Sequence, residues 1–333
     1  MMVSAHSVTV RGFEPEDEPR VLALLGDTFG RWPTQIESIT PAAFFRWKHL
    51  SSPFGSSVMY VGELDGALAG FTAYMPWLFT DGRRMVRALR GVDFAVAPPF
   101  RRHGVSHAMR TAANSLTGAA FIWANPNAPA FRGGVKAGRS TSGRVPHFAR
   151  LCGRPLQTAR RVVGRGRAGL PHVDAQSADA VLTDEDYVSF LLGHMTHAPG
   201  SLATARDLRY LRWRYGRLDE YRAVRASRAD GQGGIAIFRV RPYRNVWIAD
   251  ICELLLEPTK RAAARRLLRE VRDTAATDLI TCSFQSRREA TALGFVQASR
   301  GAPLITYPLQ QSMMLDFTSG AGWALSRGDL ELL

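Results

Sequence analysis

The stretch Gly91 to Ser106, GVDFAVAPPFRRHGVS, constrains the fold of this chain more than any other part of it. It reads as a short buried strand (Val92 to Val96), a double proline stop (Pro98, Pro99), and the turn Arg101-Arg102-His103-Gly104. Val105 and Ser106 then open a helix that runs on through HAMRTAANSL. Proline lacks the N–H that a strand ladder needs, so the strand ends there. A basic, glycine-containing turn at a helix N-terminus is a ready anion site. Backbone N–H groups point outward, the helix dipole favours negative charge, and arginines supply forked donors.

The flanking segments extend this unit into a mixed α/β order. Upstream, Val58 to Val61 and Ala67 to Tyr74 form a hairpin joined by Glu63-Leu64-Asp65-Gly66, where Asp-Gly supplies the positive φ of a tight turn. Downstream, a second buried strand, Ala120 to Ala124, ends in Asn125-Pro126-Asn127. A short helical stretch through Phe131 follows, then Val135-Lys136-Ala137-Gly138-Arg139. The spacing Arg101-x-x-Gly104-x-Ser106 resembles the pyrophosphate loop of the GNAT acyltransferases, normally Arg/Gln-x-x-Gly-x-Gly/Ala. The order helix, hairpin, strand, phosphate loop, helix, strand, helix, strand is similar to theirs from Val8 to Leu151. One departure is Arg139, which follows the glycine where the family's Lys-x-Gly-aromatic element carries a ring.

The first half is then replayed. Phe45-Arg46-Trp47-Lys48 matches Leu211-Arg212-Trp213-Arg214, Gly70-Phe71 matches Gly234-Ile235, Val96-Ala97-Pro98 matches Leu256-Glu257-Pro258, and Ala137-Gly138 matches Leu293-Gly294. The offsets shrink steadily, 166, 164, 160 and 156, as in a duplication with small deletions. The expected organisation is therefore an α/β fold (an α+β mixed sheet) of two tandem GNAT-like domains. Residues 1–152 form the acyl-CoA-binding domain, 153–175 a basic linker with four glycines and five arginines between Gly153 and His172, and 176–333 a degenerate second copy with a tail. The second copy has Arg261-Ala262-Ala263-Ala264-Arg265-Arg266 in place of the phosphate turn. It therefore lacks the glycine that lets a backbone approach a phosphate closely. It is expected to shape an acceptor pocket or brace the first copy. Its Trp323 to Gly328-Asp329 tail resembles the ending of the exopolysaccharide-associated tandem group.

The resemblance implies a set of site residues. Acetyl-CoA or another acyl-CoA is the co-substrate, its diphosphate on Arg101, Arg102, His103, Gly104, Val105 and Ser106. The pantetheine arm lies between Phe94 to Val96 on one strand and Trp123 to Asn125 on the next. Asp93 is the one carboxylate on its strand and a candidate base, the alternative being a buried aspartate that caps backbone or pairs with an arginine. Asn125 and Asn127 could orient water, acceptor or cofactor amide, and Asn-Pro-Asn is also ordinary turn chemistry. Phe131 stands near where many relatives have a tyrosine that protonates the leaving thiolate, and phenylalanine cannot do so. Phe44, Phe45, Trp47, Trp77, Phe79 and Trp123 line either an acceptor pocket or plain core.

Composition bounds the partners. The net charge is +14, and only three of the 43 basic side chains are lysines (Lys48, Lys136, Lys260). Such an excess suits a polyanionic ligand. A small-molecule amine is the expected acceptor. The alternatives are an aminoacyl-tRNA-dependent transferase, which the charge and the Arg160 to Arg167 cluster suit, and a non-catalytic GNAT-like module, which Phe131 and Ser106 suit. Neither DNA nor a membrane is an expected partner. Three scattered cysteines (Cys152, Cys252, Cys282) form no metal-ligand spacing, and no metal is expected. With no apolar leader or spanning run, a cytoplasmic setting is expected.

Overall fold

The computed structural model describes residues 7–34, 36–153, 172–195, 200–226, 233–257, 260–284, 286–310 and 322–330. They fall into two compact units, each built on a mixed sheet. The first contains β1 (Val8–Gly12), α1 (Glu18–Phe29), α2 (Pro41–Leu50), β2 (Val58–Leu64), β3 (Ala67–Thr80), β4 (Met85–Val96), α3 (Val105–Asn114), β5 (Phe121–Ala124) and α4 (Ala128–Lys136). β6 (Ser140–Leu151) begins in this unit and ends in the second.

Strand order in the first unit is β1-β2-β3-β4-β5, antiparallel except for the β4–β5 pair. The β2–β3 hairpin turns at Asp65 (φ 51°) and Gly66 (φ 78°), as a two-residue turn with both φ positive requires. Its strands run further than expected, β3 to Thr80, and β4 starts at Met85 rather than Val92. Most of β3 is buried on both faces, so its sequence lacks the polar alternation that marks a half-exposed strand. Helix α3 docks on β2 and β3 through Val105 and Met109. Glycines make room for it: a Cβ at Gly62 would lie 2.9 Å from Val105 Cγ1, and one at Gly70 2.7 Å from Met109 Cε.

The second unit contains β7 (Gln176–Ser177), α5 (Ala178–Leu182), α6 (Glu185–Gly193), β8 (Leu202–Thr204), α7 (Leu208–Tyr215), β9 (Tyr221–Ala226), β10 (Gly234–Tyr243), β11 (Val246–Leu256), α8 (Lys260–Ala275), β12 (Leu279–Cys282) and α9 (Arg287–Ala292). β13 (Val296–Pro308) leaves it partway along, and β14 (Trp323–Ala324) and α10 (Arg327–Leu330) return to it. The order β9-β10-β11-α8-β12-α9 repeats β2-β3-β4-α3-β5-α4. As in the first unit, the two strands around the crossover helix, β11 and β12, are parallel.

The compact units divide at Gly143/Arg144, whereas the sequence reading divides the chain at residue 152. The reason is the last strand of each sheet. In the first unit β5 pairs with 305–308 of β13, and in the second β12 pairs with 148–151 of β6. Each repeat thus closes the other's sheet, a pairing that periodicity along one segment cannot reveal. Most of the expected linker, 154–171 with its arginine cluster, lies outside the described residues. Among the described residues no helix is long and apolar enough to cross a membrane.

Candidate functional site

Strands β4 and β5 pair only at Leu89/Ile122 and Arg90/Trp123. Beyond that point they part, with Gly91–Val96 on one side and Ala124 and Asn125 on the other. Of the expected flanks of the pantetheine arm, Phe94 to Val96 and Trp123 to Asn125, all but Trp123, which still pairs with Arg90, lie beyond that last pair. β4 is also irregular here: its register against β3 slips between Val92 and Ala95, and Asp93 takes a left-handed φ of 50°. A bulge of this kind re-aims the side chains that follow it.

Asp93 holds the bulge from behind. Its carboxylate accepts from Lys48 Nζ (2.8 Å), His49 Nε2 (3.0 Å) and Trp32 Nε1 (3.1 Å). The Lys48 and His49 side chains are 1 % and 0 % exposed. They come from α2, whose packing residues Phe44, Phe45 and Trp47 are buried core rather than the lining of a pocket. Burial pushes the Asp93 carboxyl up, but Lys48 and His49 outweigh it and hold it well below the usual carboxylate range. Burial lowers the His49 pKa against the pull of Asp93, and the ring's other nitrogen, Nδ1, meets Ser57 Oγ (3.1 Å). A carboxylate so held is a poor proton acceptor. These contacts give Asp93 the arrangement of the buried, paired alternative, with Lys48 and His49 where an arginine was expected.

The basic turn has the form an anion site needs. After a 3-10 turn at Pro98–Phe100, Arg102 (φ 70°) and Gly104 (φ 85°) both sit in the left-handed region, and Gly104 is the N-cap of α3. No side chain among the described residues caps that helix end. A Cβ at Gly104 would meet nothing within 4 Å, so its backbone faces open space. Arg101, Arg102 and His103 are exposed around it. Arg101 is tethered through Nε to Val96 O (3.2 Å), which ties the turn to the end of β4. The other turn residues differ in role. Val105 is 1 % exposed and contributes packing plus its backbone N–H, and the Ser106 hydroxyl is bound to Arg110. The open helix end, the glycine and the flanking arginines fit a diphosphate.

The two asparagines separate. Asn125 Oδ1 accepts from Arg90 Nη2 (3.0 Å), and the buried Arg90 guanidinium lies against the T-shaped Trp77–Trp123 pair, 5.1 and 4.7 Å from the two ring centroids. Asn125 therefore sits at the divergence itself. Asn127 is exposed and caps α4 by accepting from Ala130 N (3.0 Å). That cap is the turn chemistry that Asn-Pro-Asn also allows.

The second unit repeats the divergence without the turn. β11 and β12 pair from Ile248/Leu279 to Asp250/Thr281 and then part around a cavity of about 390 Å³ lined by Ile251, Leu254, Phe284 and Leu325 among others. Arg261–Arg266 lie within regular α8, so no glycine turn opens this helix. Glu253 occupies the position of Asp93, offset by the same 160 residues as Val96 and Leu256. It is locked by Arg206 Nε (3.0 Å), Tyr215 Oη (2.9 Å) and Ser326 Oγ (3.0 Å). Asp329 completes this network through Arg206 Nη2 (2.6 Å) and Tyr210 Oη (3.1 Å). The Gly328-Asp329 tail is thus a buried brace: a Cβ at Gly328 would sit 1.8 Å from Tyr215 Oη.

No family model matches the sequence, and no curated protein does. Among solved structures the chain is similar to a GCN5-related N-acetyltransferase from Anabaena variabilis, at 12% identity over 91% of this chain and 73% of that one, with a TM-score of 0.62. It is similar to another from Kribbella flavida, at 14% identity over 92% and 72%, with a TM-score of 0.60. It also resembles Saccharomyces cerevisiae N-myristoyltransferase, solved with bound myristoyl-CoA, at 12% identity over 92% and 80%, with a TM-score of 0.56. The chain has the GNAT fold.

Proposed function

We propose that this protein is an acyl-CoA-dependent N-acyltransferase that passes an acyl group directly to the amine of a small molecule. The observation that carries the reading is one alignment within the first unit. An uncapped helix N-terminus behind a left-handed glycine adjoins the strand that parts from its parallel neighbour. In this reading the Val105 and Ser106 N–H groups and Arg102 hold the diphosphate, and the open edges of β4 and β5 flank the pantetheine arm. Acyl-CoA supplies the activated acyl carbon as a thioester. Asp93, clamped by Lys48 and His49, acts as a positioning residue that fixes the bulged strand beside that carbon. Phe131 carries no proton to give, so the proton that the amine sheds as its nitrogen bonds the acyl carbon passes to water, and the departing thiolate takes one back from water as the C–S bond breaks. The second unit, without a phosphate turn, serves as brace and acceptor-side scaffold.

Calorimetry on the full chain tests this. One acyl-CoA should bind per chain, and Arg102→Ala should weaken it about 10- to 100-fold, since a charge-assisted contact contributes roughly 1.5–3 kcal/mol. A pantetheine thioester lacking the nucleotide should lose far less. Equal losses for both donors would make Arg102 structural. Thermal stabilisation by tRNA and not by acyl-CoA would move the protein to the aminoacyl-tRNA-dependent class.

A further inference from the structure

Two arginines beneath α4 have no acidic partner among the described residues. Arg139, where the family carries an aromatic, is 8 % exposed, and its Nη1 has no hydrogen-bond partner among the described residues. Its guanidinium carbon lies 4.2 Å from the Tyr307 ring centroid. Arg110, on α3, lies 4.2 Å from the Phe94 ring centroid and bonds only the Ser106 hydroxyl and carbonyl (3.4 Å) among the described residues. Burial lowers the pKa of both and Tyr74, itself a phenol whose pKa burial raises, opposes that shift in each; the Arg139 charge lowers Arg110 further.

The surroundings are shaped around these groups. Helix α4 approaches through Gly133 and Gly134. A Cβ at Gly133 would lie 3.2 Å from Arg110 Nη2, and one at Gly134 2.7 Å from Ile305 Cδ1 and 3.6 Å from Arg139 Cγ. Tyr60 and Tyr307 pack beside Tyr74 in the same cluster. Buried charges are ordinarily paired, because an uncompensated one costs several kcal/mol. Here two like charges lie under a glycine pair and face rings and one hydroxyl.

We propose that Arg110 and Arg139 bind an oxyanion, a carboxylate or a phosphate, where α4 passes over them at Gly133 and Gly134. Arg110 is five residues into α3, about 8 Å along the helix from the phosphate turn. It stacks on Phe94, beyond the last β4–β5 pair. That position favours the acyl end of the donor over its nucleotide, and so a thioester of a dicarboxylic acid. The donor assignment rests on the acyltransferase reading; the anion site does not.

The test uses the full chain and its Arg139→Met and Arg110→Met variants, with acetyl-CoA, succinyl-CoA, free succinate and inorganic phosphate as probes. Succinyl-CoA is expected to bind wild type at least 10-fold more tightly than acetyl-CoA, and Arg139→Met to erase that preference. Equal binding of the two thioesters, with succinate or phosphate raising the melting temperature of wild type but not of the variants, would keep the site and assign it to a separate small anion. Stabilisation by those anions with no thioester bound would keep the site and remove the acyltransferase reading. No preference for succinyl-CoA and no anion-dependent stabilisation of wild type overturns the proposal, and these wild-type measurements decide it even if both variants fail to fold.

Discussion

Replacing Asp93 by asparagine is expected to destabilise the first unit by about 3–5 kcal/mol, the cost of removing one partner from a buried ion pair. Asparagine keeps the shape and tolerates the left-handed φ of 50°, so backbone strain does not confuse the result. What it removes is the charge facing Lys48, whose side chain is 1 % exposed. The melting temperature should fall by on the order of 10 °C. Adding Lys48→Met should recover part of the loss, because a buried pair replaced on both sides costs less than one broken on one side. The pH dependence has a definite sign. The folded-state pKa of Asp93 lies below its unfolded value, so its contribution is complete above the ordinary carboxylate range and drains away as pH falls through and below it. Wild type should therefore lose stability on acidification more steeply than Asp93→Asn. Equal acid sensitivity, or a double variant no better than the single one, would show that the clamp is not what holds this strand.

Much of the first unit was legible because its signals are local. The Asp65-Gly66 turn, the proline stop after Val96 and the glycine before Val105 each announce a backbone event within a few residues. The parallel pairing of β4 with β5 follows from the helix between them. The partners of Asp93 were not legible, since Lys48 is 45 residues away and meets it only once α2 has docked. One signal did point to it: where only three of 43 basic residues are lysines, a lysine beside Phe44, Phe45 and Trp47 marks a site that wants a compact ammonium. Arg139 was visible as a departure, but its burial depends on Tyr307, 168 residues later in the chain. The exchange of closing strands escaped for the same reason. The repeat shows what each half contains, and the pairing of β5 with β13 depends on contacts between residues far apart in sequence.

Replacing Gly104 by valine is expected to abolish acyl-CoA binding while the first unit stays folded. The backbone at Gly104 has φ 85°, and a β-branched residue there costs about 1–3 kcal/mol in strain. No clash adds to this, because a Cβ meets nothing within 4 Å. The same open space is where the diphosphate must approach the first N–H groups of α3, so a valine side chain occupies the anion's place. Gly104→Asn separates the two effects. Asparagine accepts positive φ and should leave the melting temperature of the free protein nearly unchanged, yet it still puts a side chain over the helix end. Both variants should lose the stabilisation of about 2.7 kcal/mol that a ligand at about 100 times its dissociation constant gives wild type. The corresponding region of the second unit, Arg261–Arg266 within α8, offers no such opening, so wild type should titrate with one acyl-CoA per chain. Two equivalents in wild type, or undiminished binding in Gly104→Val, would place the nucleotide elsewhere and separate the GNAT fold of this chain from the use of its basic turn.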